Sequence, residues 1–219
     1  MKIGTCVNFS EIDGMEKKFA QLREHNFDSC QLVSWNPAAW TDENANTLKT
    51  LLEQYQITVS AFWCGWTGPA AWNFYDGQLT LGLVPVEYRQ MRIENLCDGA
   101  DFAHKLGITD VVTHMGFIPE NPYDPNFSSF CIAVRTVAEH LKKNGQCLLF
   151  ETGQETPVTM LRCFEAVGTD NLYVNLDTAN LILYGKANPA DALDVFGKYV
   201  RNLHAKDGCY PTNGHELGA

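Results

Sequence analysis

Three apolar runs in the second half of this 219-residue chain each end in a residue of a type that binds metal ions. Glu151 follows CLLF, Asp177 follows YVNL, and His204 follows VRNL, at separations of 26 and 27 residues. That spacing is the length of a strand, a helix and two loops, so parallel strands would present all three side chains at one end of a sheet. Two oxygen ligands and one nitrogen suit a divalent metal such as Mn²⁺, Mg²⁺, Co²⁺ or Zn²⁺. Strands often end in polar residues where they meet a loop, but three ligand types in successive units favour a shared site.

Other polar residues stand close to the predicted strand ends. His114, in VVTHMG, could hydrogen-bond a substrate hydroxyl or carbonyl, or it could be a satisfied histidine on the rim. Lys206, in HAKDG, could neutralise charge on a substrate, and Asp207 beside it could orient His204. The alternative for these two is a surface ion pair. Gln154, in ETGQET, could reach a substrate hydroxyl or simply precede a helix.

Strand and helix patterns alternate along the whole chain. Seven strands are predicted at 3–7, 30–34, 58–63, 110–113, 147–150, 172–176 and 200–203. Helices are predicted at 13–25, 85–106 and 128–144, and three more begin near 41, 156 and 188. This alternation is typical of a parallel α/β sheet. No linker or composition shift interrupts it, so one domain is predicted over residues 1–219.

The ends of the strands favour a barrel over an open sheet. A doubly wound nucleotide binder has a glycine-rich turn after its first strand, and CVNFSEIDG contains no G-x-G-x-x-G. Ligand types at several strand ends are instead typical of a (β/α)₈ barrel. Such a barrel typically needs about 250 residues. After the seventh predicted strand and its HAK segment only DGCYPTNGHELGA remains, so the eighth strand–helix unit is predicted to be missing.

Composition narrows the class of protein. The formal net charge of −10 disfavours binding to phosphate backbones, so no nucleic-acid partner is expected. No run of about 18 apolar residues predicts a membrane span. The eight cysteines contain no C-x-x-C pair, and the N-terminus does not resemble a signal peptide, so free thiols and a cytoplasmic location are expected.

Two long loops follow the third and fourth predicted strands. The first, CGWTGPAAWNFYDGQLTLGLVP, is rich in aromatic residues and glycine. Loops of this length in a compact domain often bind ligands or act as lids. Trp66 could stack on the apolar face of a sugar or pack the loop onto the barrel rim.

The runs FETG, NLDTAN and HAKDG together resemble the xylose-isomerase-like barrels, a group of sugar and sugar-phosphate isomerases and epimerases. The resemblance spans nearly the whole chain. Its motifs are moderately specific for this family together, and each alone is only weakly specific. It implies a divalent metal held by Glu, Asp, His and a last Glu from the eighth strand. Glu151, Asp177 and His204 match the first three ligands, and the fourth has no counterpart. Glu216, twelve residues beyond His204, is not assigned to that position.

The resemblance also implies a mechanism and a set of partners. The metal would chelate adjacent oxygens of an open sugar and stabilise an enediolate, while Glu151 moves the proton. The other implied partners are a small sugar and a second copy of the chain, because such barrels often pair. The candidate substrate-binding residues are Trp66, His114, Gln154, Asn180 and Lys206.

Three alternatives remain open. Apurinic endonucleases of the same superfamily carry a histidine three residues after the aspartate, where this chain has Asn180. An inactive or non-catalytic sugar-binding barrel is the second alternative, because the eighth unit is missing. A dehydratase acting on a cyclic polyol ketone is the third, since the same enediolate can expel a β-hydroxyl.

Overall fold

The computed structural model describes residues 2–219 and shows seven parallel strands that alternate with helices. The strands are β1 (Thr5–Asn8), β2 (Ser29–Ser34), β3 (Thr58–Cys64), β4 (Asp110–Thr113), β5 (Cys147–Glu151), β6 (Leu172–Asp177) and β7 (Val200–His204). The α-helices are α1 (Met15–Glu24), α2 (Asp42–Gln54), α3 (Gly77–Thr80), α4 (Val86–Lys105), α5 (Pro125–Lys143), α6 (Pro157–Val167), α7 (Thr178–Leu183) and α8 (Pro189–Phe196). Short 3₁₀-helices at Pro37–Ala39 and Gly197–Tyr199 precede α2 and β7.

The strands lie in chain order, and each pairs in parallel with the next. The burial of β5 shows that the sheet is covered on both faces. Its residues Leu148, Leu149 and Phe150 are all fully buried. A strand covered on both faces has this continuous apolar pattern, with helices outside and packed side chains inside. The predicted barrel-type α/β fold is therefore confirmed.

Contacts between distant strands show that the sheet curls around an interior. Gln31 of β2 donates from Nε2 to Asn175 Oδ1 of β6 at 3.4 Å, and its Oε1 lies 2.8 Å from His204 Nε2 of β7. These strands are not neighbours in the sheet, so their side chains meet only across a barrel lumen. Within residues 2–219, β1 and β7 are the two edges of the sheet, which agrees with the predicted lack of an eighth unit.

Local capping explains where the helices begin. Thr41, Asp124, Thr156 and Asn188 each accept a hydrogen bond from a backbone N–H in the first turn of the helix that follows. The cap at Asp124, with Pro125 at the first helical position, starts α5 three residues earlier than the predicted 128.

Two other helix predictions need correction. The first helix starts at Met15 rather than at Asp13, because Gly14 takes a left-handed conformation (φ +82°) and no side chain caps the helix. Helix α7 was not expected. It follows β6 without a loop, since Asp177 accepts from the backbone N–H of Asn180 and caps α7 itself. No helix in the described residues is long and apolar enough to cross a membrane.

An ion pair links β4 and β7 at the ends where these strands begin. Arg201 Nε donates to Asp110 Oδ2 at 3.0 Å, Nη2 lies 3.0 Å from Oδ1, and the guanidinium stacks on Tyr173. The Asp110 side chain is only 11% exposed, so it depends on this partner. The pair crosses from one side of the curled sheet to the other and fastens the edge strand β7.

Arg201→Met is therefore expected to lower the free energy of unfolding by about 2 kcal/mol, since it leaves a buried carboxylate without its partner. Lys142→Met, which removes an exposed pair with Asp170, is the matched control and is expected to lower the urea midpoint much less, since water screens this pair. Urea unfolding followed by circular dichroism measures both. Equal midpoints for the two variants would show that the Arg201 pair does not hold the edge strand.

Candidate metal and active site

Glu151, Asp177 and His204 meet at the ends of β5, β6 and β7. One ligand atom from each lies within 4.8 Å of the other two. His204 Nδ1 is 2.9 Å from Glu151 Oε1 and 3.7 Å from Asp177 Oδ2. Both carboxylates are buried, with side chains 3% and 4% exposed, and the imidazole is partly buried. The three residues proposed as metal ligands from their spacing therefore do converge.

Neighbouring side chains hold each of these ligands in place. Trp63 donates from Nε1 to Glu151 Oε2 at 3.3 Å, and Asn175 donates from Nδ2 to the same oxygen, which leaves Oε1 facing the centre of the site. Asp177 Oδ1 caps α7, so Oδ2 is the oxygen turned toward His204. Each carboxylate is thus anchored by one oxygen and presents the other.

A proton on His204 offsets part of the negative charge of the two carboxylates. Burial alone would lower the pKa of His204, but hydrogen bonds with Asp177, Cys6 and Glu151 outweigh it and raise the pKa to about 12. Burial opposes ionisation of Asp177, yet the hydrogen bonds from His204 and the α7 backbone still lower the pKa of this carboxyl. The free protein therefore holds an imidazolium between two carboxylates at neutral pH, a place that a divalent cation fits when it displaces the proton.

The three side chains form part of the wall of a cavity of about 440 Å³ that opens at the carboxyl ends of the strands. Aromatic rings form one side of this cavity, and Leu183, Tyr184 and Leu217 lie on its lining as well. The cavity is thus polar near the ligand set and largely apolar elsewhere. This is the arrangement expected for a site that binds a small molecule.

The family model described as "Xylose isomerase-like TIM barrel" matches residues 19–218. The chain belongs to this family. A xylose isomerase domain protein from Planctomyces limnophilus has 30% sequence identity and a TM-score of 0.91, over 99% of this chain and 77% of that one.

More distant solved structures share the fold. A xylose isomerase-like TIM barrel protein from Mycobacterium smegmatis, solved in complex with magnesium, is 18% identical with a TM-score of 0.71, over 99% of this chain and 79% of that one. L-ribulose 3-epimerase is 21% identical with a TM-score of 0.70, over 93% of this chain and 69% of that one. The solved structures with this xylose isomerase-like fold thus include sugar epimerases.

Three of the predicted substrate-binding residues of this xylose isomerase-like barrel line the cavity. His114 stands beside the aromatic rings, and burial lowers the pKa of its imidazole, so the ring is neutral at pH 7. Asn180 and Lys206 lie beside Asp177: Lys206 Nζ donates to Asn180 Oδ1 at 2.8 Å and is 3.6 Å from Asp177 Oδ2. All three can therefore reach a molecule bound next to the ligand set.

The other predicted site residues lie elsewhere. Trp66 is buried behind the cavity wall, with its ring against Trp35 and Trp63, rather than on the cavity surface. Gln154 is also buried behind the wall, and neither of its amide atoms has a partner of good geometry among residues 2–219. Asp207 is exposed and accepts from the N–H of Gly208, so the prediction that it orients His204 is wrong.

Gln31 takes the orienting position instead. Its Oε1 accepts from His204 Nε2 at 2.8 Å, which fixes the imidazole with Nδ1 toward the carboxylates. Cys6, Trp35 and Trp63 also line the cavity without having been predicted. Gln31 and Trp63 lie within apolar strands, so the neighbouring sequence does not mark them as residues of a site. Trp35, directly after β2, could have been found by applying the same strand-end rule to the first half of the chain.

A buried arginine fixes the long loop after β3. Arg92 of α4 is fully buried, donates from Nη1 to Gly82 O at 2.6 Å and from Nη2 to Pro69 O at 2.7 Å, and stacks on Trp66. Burial lowers the pKa of the guanidinium to about 10, so the group remains charged at pH 7. It thereby joins the two ends of the loop that carries Trp66 and Trp72.

Arg92→Met is expected to lower the free energy of unfolding by about 2 kcal/mol, because the carbonyls of Thr67, Pro69 and Gly82 lose their donor while burial of a charge is relieved. Arg162→Met is the control, since Arg162 donates to a single carbonyl at the surface, that of Glu120. Urea midpoints and limited proteolysis between residues 66 and 82 measure the effect. An unchanged midpoint with an equally resistant loop would contradict this role for Arg92.

Proposed function

We propose that this protein is a divalent-metal-dependent isomerase or epimerase of a sugar or sugar phosphate. The observation that carries the proposal is the convergence of Glu151, Asp177 and His204 beside an open cavity. Two carboxylates and one imidazole are a donor set that Mn²⁺, Mg²⁺, Co²⁺ and Zn²⁺ accept. The magnesium bound by the Mycobacterium smegmatis protein of the same fold supports this choice of cofactor.

A cation at this site would polarise a substrate carbonyl and make the neighbouring C–H bond more acidic. Glu151 is the group proposed to take that proton. Its Oε2 is fixed by Trp63 and Asn175, so Oε1 can face a carbon of a molecule bound in the cavity. A carboxylate that is anchored in this way needs little reorganisation when it accepts a proton.

Two further side chains complete the proposed chemistry. His114 is neutral and lines the cavity, so its ring can donate a hydrogen bond to a substrate oxygen without adding charge. Lys206 lies beside Asp177 in the cavity lining and can offset negative charge that builds up on the substrate oxygen. These groups bind and orient the substrate, while Glu151 moves the proton.

Isotope exchange tests the proposal. The protein is incubated in D₂O with Mn²⁺ and a panel of ketoses, free and phosphorylated, and the products are followed by proton NMR. We expect deuterium at the carbon next to the carbonyl, loss of exchange with EDTA, and recovery with Mn²⁺. Binding of a ketose without exchange would instead favour a non-catalytic sugar-binding barrel, and an unsaturated product would indicate a dehydratase.

A further inference from the structure

Four rings form a continuous surface on one side of the cavity, here called the aromatic wall: Trp35, Trp63, Trp72 and His114. The centroid of the Trp35 ring lies 5.0 Å from that of Trp63 and 6.1 Å from that of Trp72. The planes of the Trp35 and Trp72 rings meet at 89°. Trp72 in turn lies 5.0 Å from His114. The two outer rings, Trp35 and Trp72, are 38% and 41% exposed. The two rings stand nearly perpendicular to each other, and both line the cavity.

The position of Trp35 is set by Gly65. A Cβ atom on Gly65 would lie 2.5 Å from Cδ2 and 2.6 Å from Cε3 of the Trp35 ring. The indole therefore lies flat against bare backbone at the end of β3, a place that any larger residue would close. Trp66 packs edge-on against Trp35 from behind, at 5.0 Å and 67°. The wall is thus supported before a ligand arrives.

The aromatic wall is joined directly to the ligand set. Trp63 is part of the wall, and its Nε1 donates to Glu151 Oε2 at 3.3 Å. A molecule stacked on Trp35 is therefore about one indole away from the carboxylate proposed to move the proton. Lys206 and Asn180 line the same cavity.

The charge of the lining argues against a strongly anionic ligand. Among the described residues that line the cavity, Lys206 is the one lysine or arginine, and it already contacts Asp177 and Asn180. Glu151 and Asp177 add two carboxylates near the same place, and the imidazolium of His204 between them is already paired with both. A phosphate group would find no guanidinium and no free ammonium there.

We propose that the aromatic wall is a subsite for an uncharged carbohydrate in its ring form, whose C–H face stacks on Trp35 and Trp72. An open-chain sugar has no flat apolar face, so it would leave both exposed indoles uncovered. The hydroxyl edge of the ring reaches Glu151 and the rest of the ligand set. This inference rests on the proposed function and narrows its substrate to a cyclic, non-phosphorylated sugar or polyol with a keto group on a ring carbon, so that the proton is removed from the neighbouring ring carbon.

Two uncharged, polyhydroxylated probes separate a ring from a chain: methyl β-D-glucopyranoside and D-sorbitol. Binding is measured by isothermal titration, and contact with the rings by saturation-transfer NMR. We expect the glucopyranoside to bind about tenfold more tightly, which corresponds to about 1.4 kcal/mol and lies within the range for contacts between aromatic rings. Glucopyranoside 6-phosphate is expected to bind more weakly than the uncharged glucopyranoside.

Variants assign the preference to the wall. Trp35→Ala and Trp72→Ala are expected to remove the tenfold difference between ring and chain, and Trp35→Phe to restore most of it. Tyr123→Ala, which removes a ring 92% exposed and outside the cavity, is the matched control. Circular dichroism shows whether each variant folds. If Trp35→Ala does not fold, the test uses the other two variants: Trp72→Ala should lose the preference for the ring probe, and Trp35→Phe should keep most of it.

Equal affinity for the two probes, no measurable binding of the glucopyranoside, or an unchanged preference in the folded tryptophan variants would overturn the inference. Titration with Mn²⁺ alone separates this result from failure of the proposed function. A ring preference without Mn²⁺ binding would retain the subsite and refute the metal-dependent activity. Mn²⁺ binding without a ring preference would refute the subsite and leave the proposed activity standing.

Discussion

Glu151→Gln is expected to reduce deuterium exchange into the substrate by about 10²- to 10⁴-fold, the range by which a positioned acid–base group contributes. The amide has nearly the same shape as the carboxylate, and its oxygen can still accept the hydrogen bonds from Trp63 and Asn175, but the group cannot accept a proton. The loss should therefore appear in the rate of exchange far more than in substrate affinity. Proton NMR in D₂O with saturating Mn²⁺ measures the rate.

Glu165→Gln, on the exposed side of α6, is the control for this experiment and should exchange at the wild-type rate. Metal affinity is measured separately by titration with Mn²⁺, so that a weakened ligand is not mistaken for a lost base. If Glu151→Gln exchanges deuterium at the wild-type rate at full metal occupancy, Glu151 is not the group that moves the proton.

The second large effect concerns stability and Glu155. This carboxyl is buried four residues beyond Glu151, and neither oxygen has a partner of good geometry among the described residues. Burial raises its pKa from 4.5 to about 8, and the nearby positive charge of Lys186 offsets only part of that shift. Between these two values the folded protein holds a proton that the unfolded chain has released, so stability falls as the pH rises from 4.5 to 8.

Glu155→Gln removes this dependence, because the amide is neutral in both states. The variant is expected to match the wild type near pH 4.5 and to exceed its free energy of unfolding by on the order of 4 kcal/mol at pH 8. Urea unfolding at several pH values measures the difference. Glu165→Gln should follow the wild-type curve throughout. Parallel curves for wild type and Glu155→Gln would show that Glu155 is ionised in the fold.

The sequence predicted the fold well because the barrel repeats one simple unit. Each strand appears as a short apolar run, and residues such as Thr156 and Gly168 mark the ends of a helix by their own chemistry. The same regularity located the ligand set, since parallel strands end at one edge. Helix α7 was missed because Asp177 serves as both a strand end and a helix cap, and a strand–helix junction without a loop leaves no turn residues to detect.

The surroundings of the site were harder to predict, because they depend on contacts between distant parts of the chain. Gln31 reaches His204 across the lumen, over a separation of 173 residues. Nothing in the short run QLVS marks that contact. Asp207, close to the site in sequence, is exposed because it lies in the segment after His204, where the chain has left the sheet. Proximity in sequence was therefore a poor guide to the side chain that orients His204.

Crystals soaked in Mn²⁺, with anomalous diffraction recorded at the manganese edge, test the central claim most directly. We predict one strong anomalous peak at the carboxyl ends of β5, β6 and β7, bonded to Glu151, Asp177 and His204. The peak should disappear in crystals of Asp177→Asn. A peak bonded to other residues, or an undisturbed imidazolium between the two carboxylates at saturating Mn²⁺, would contradict the assignment of this site as a metal centre.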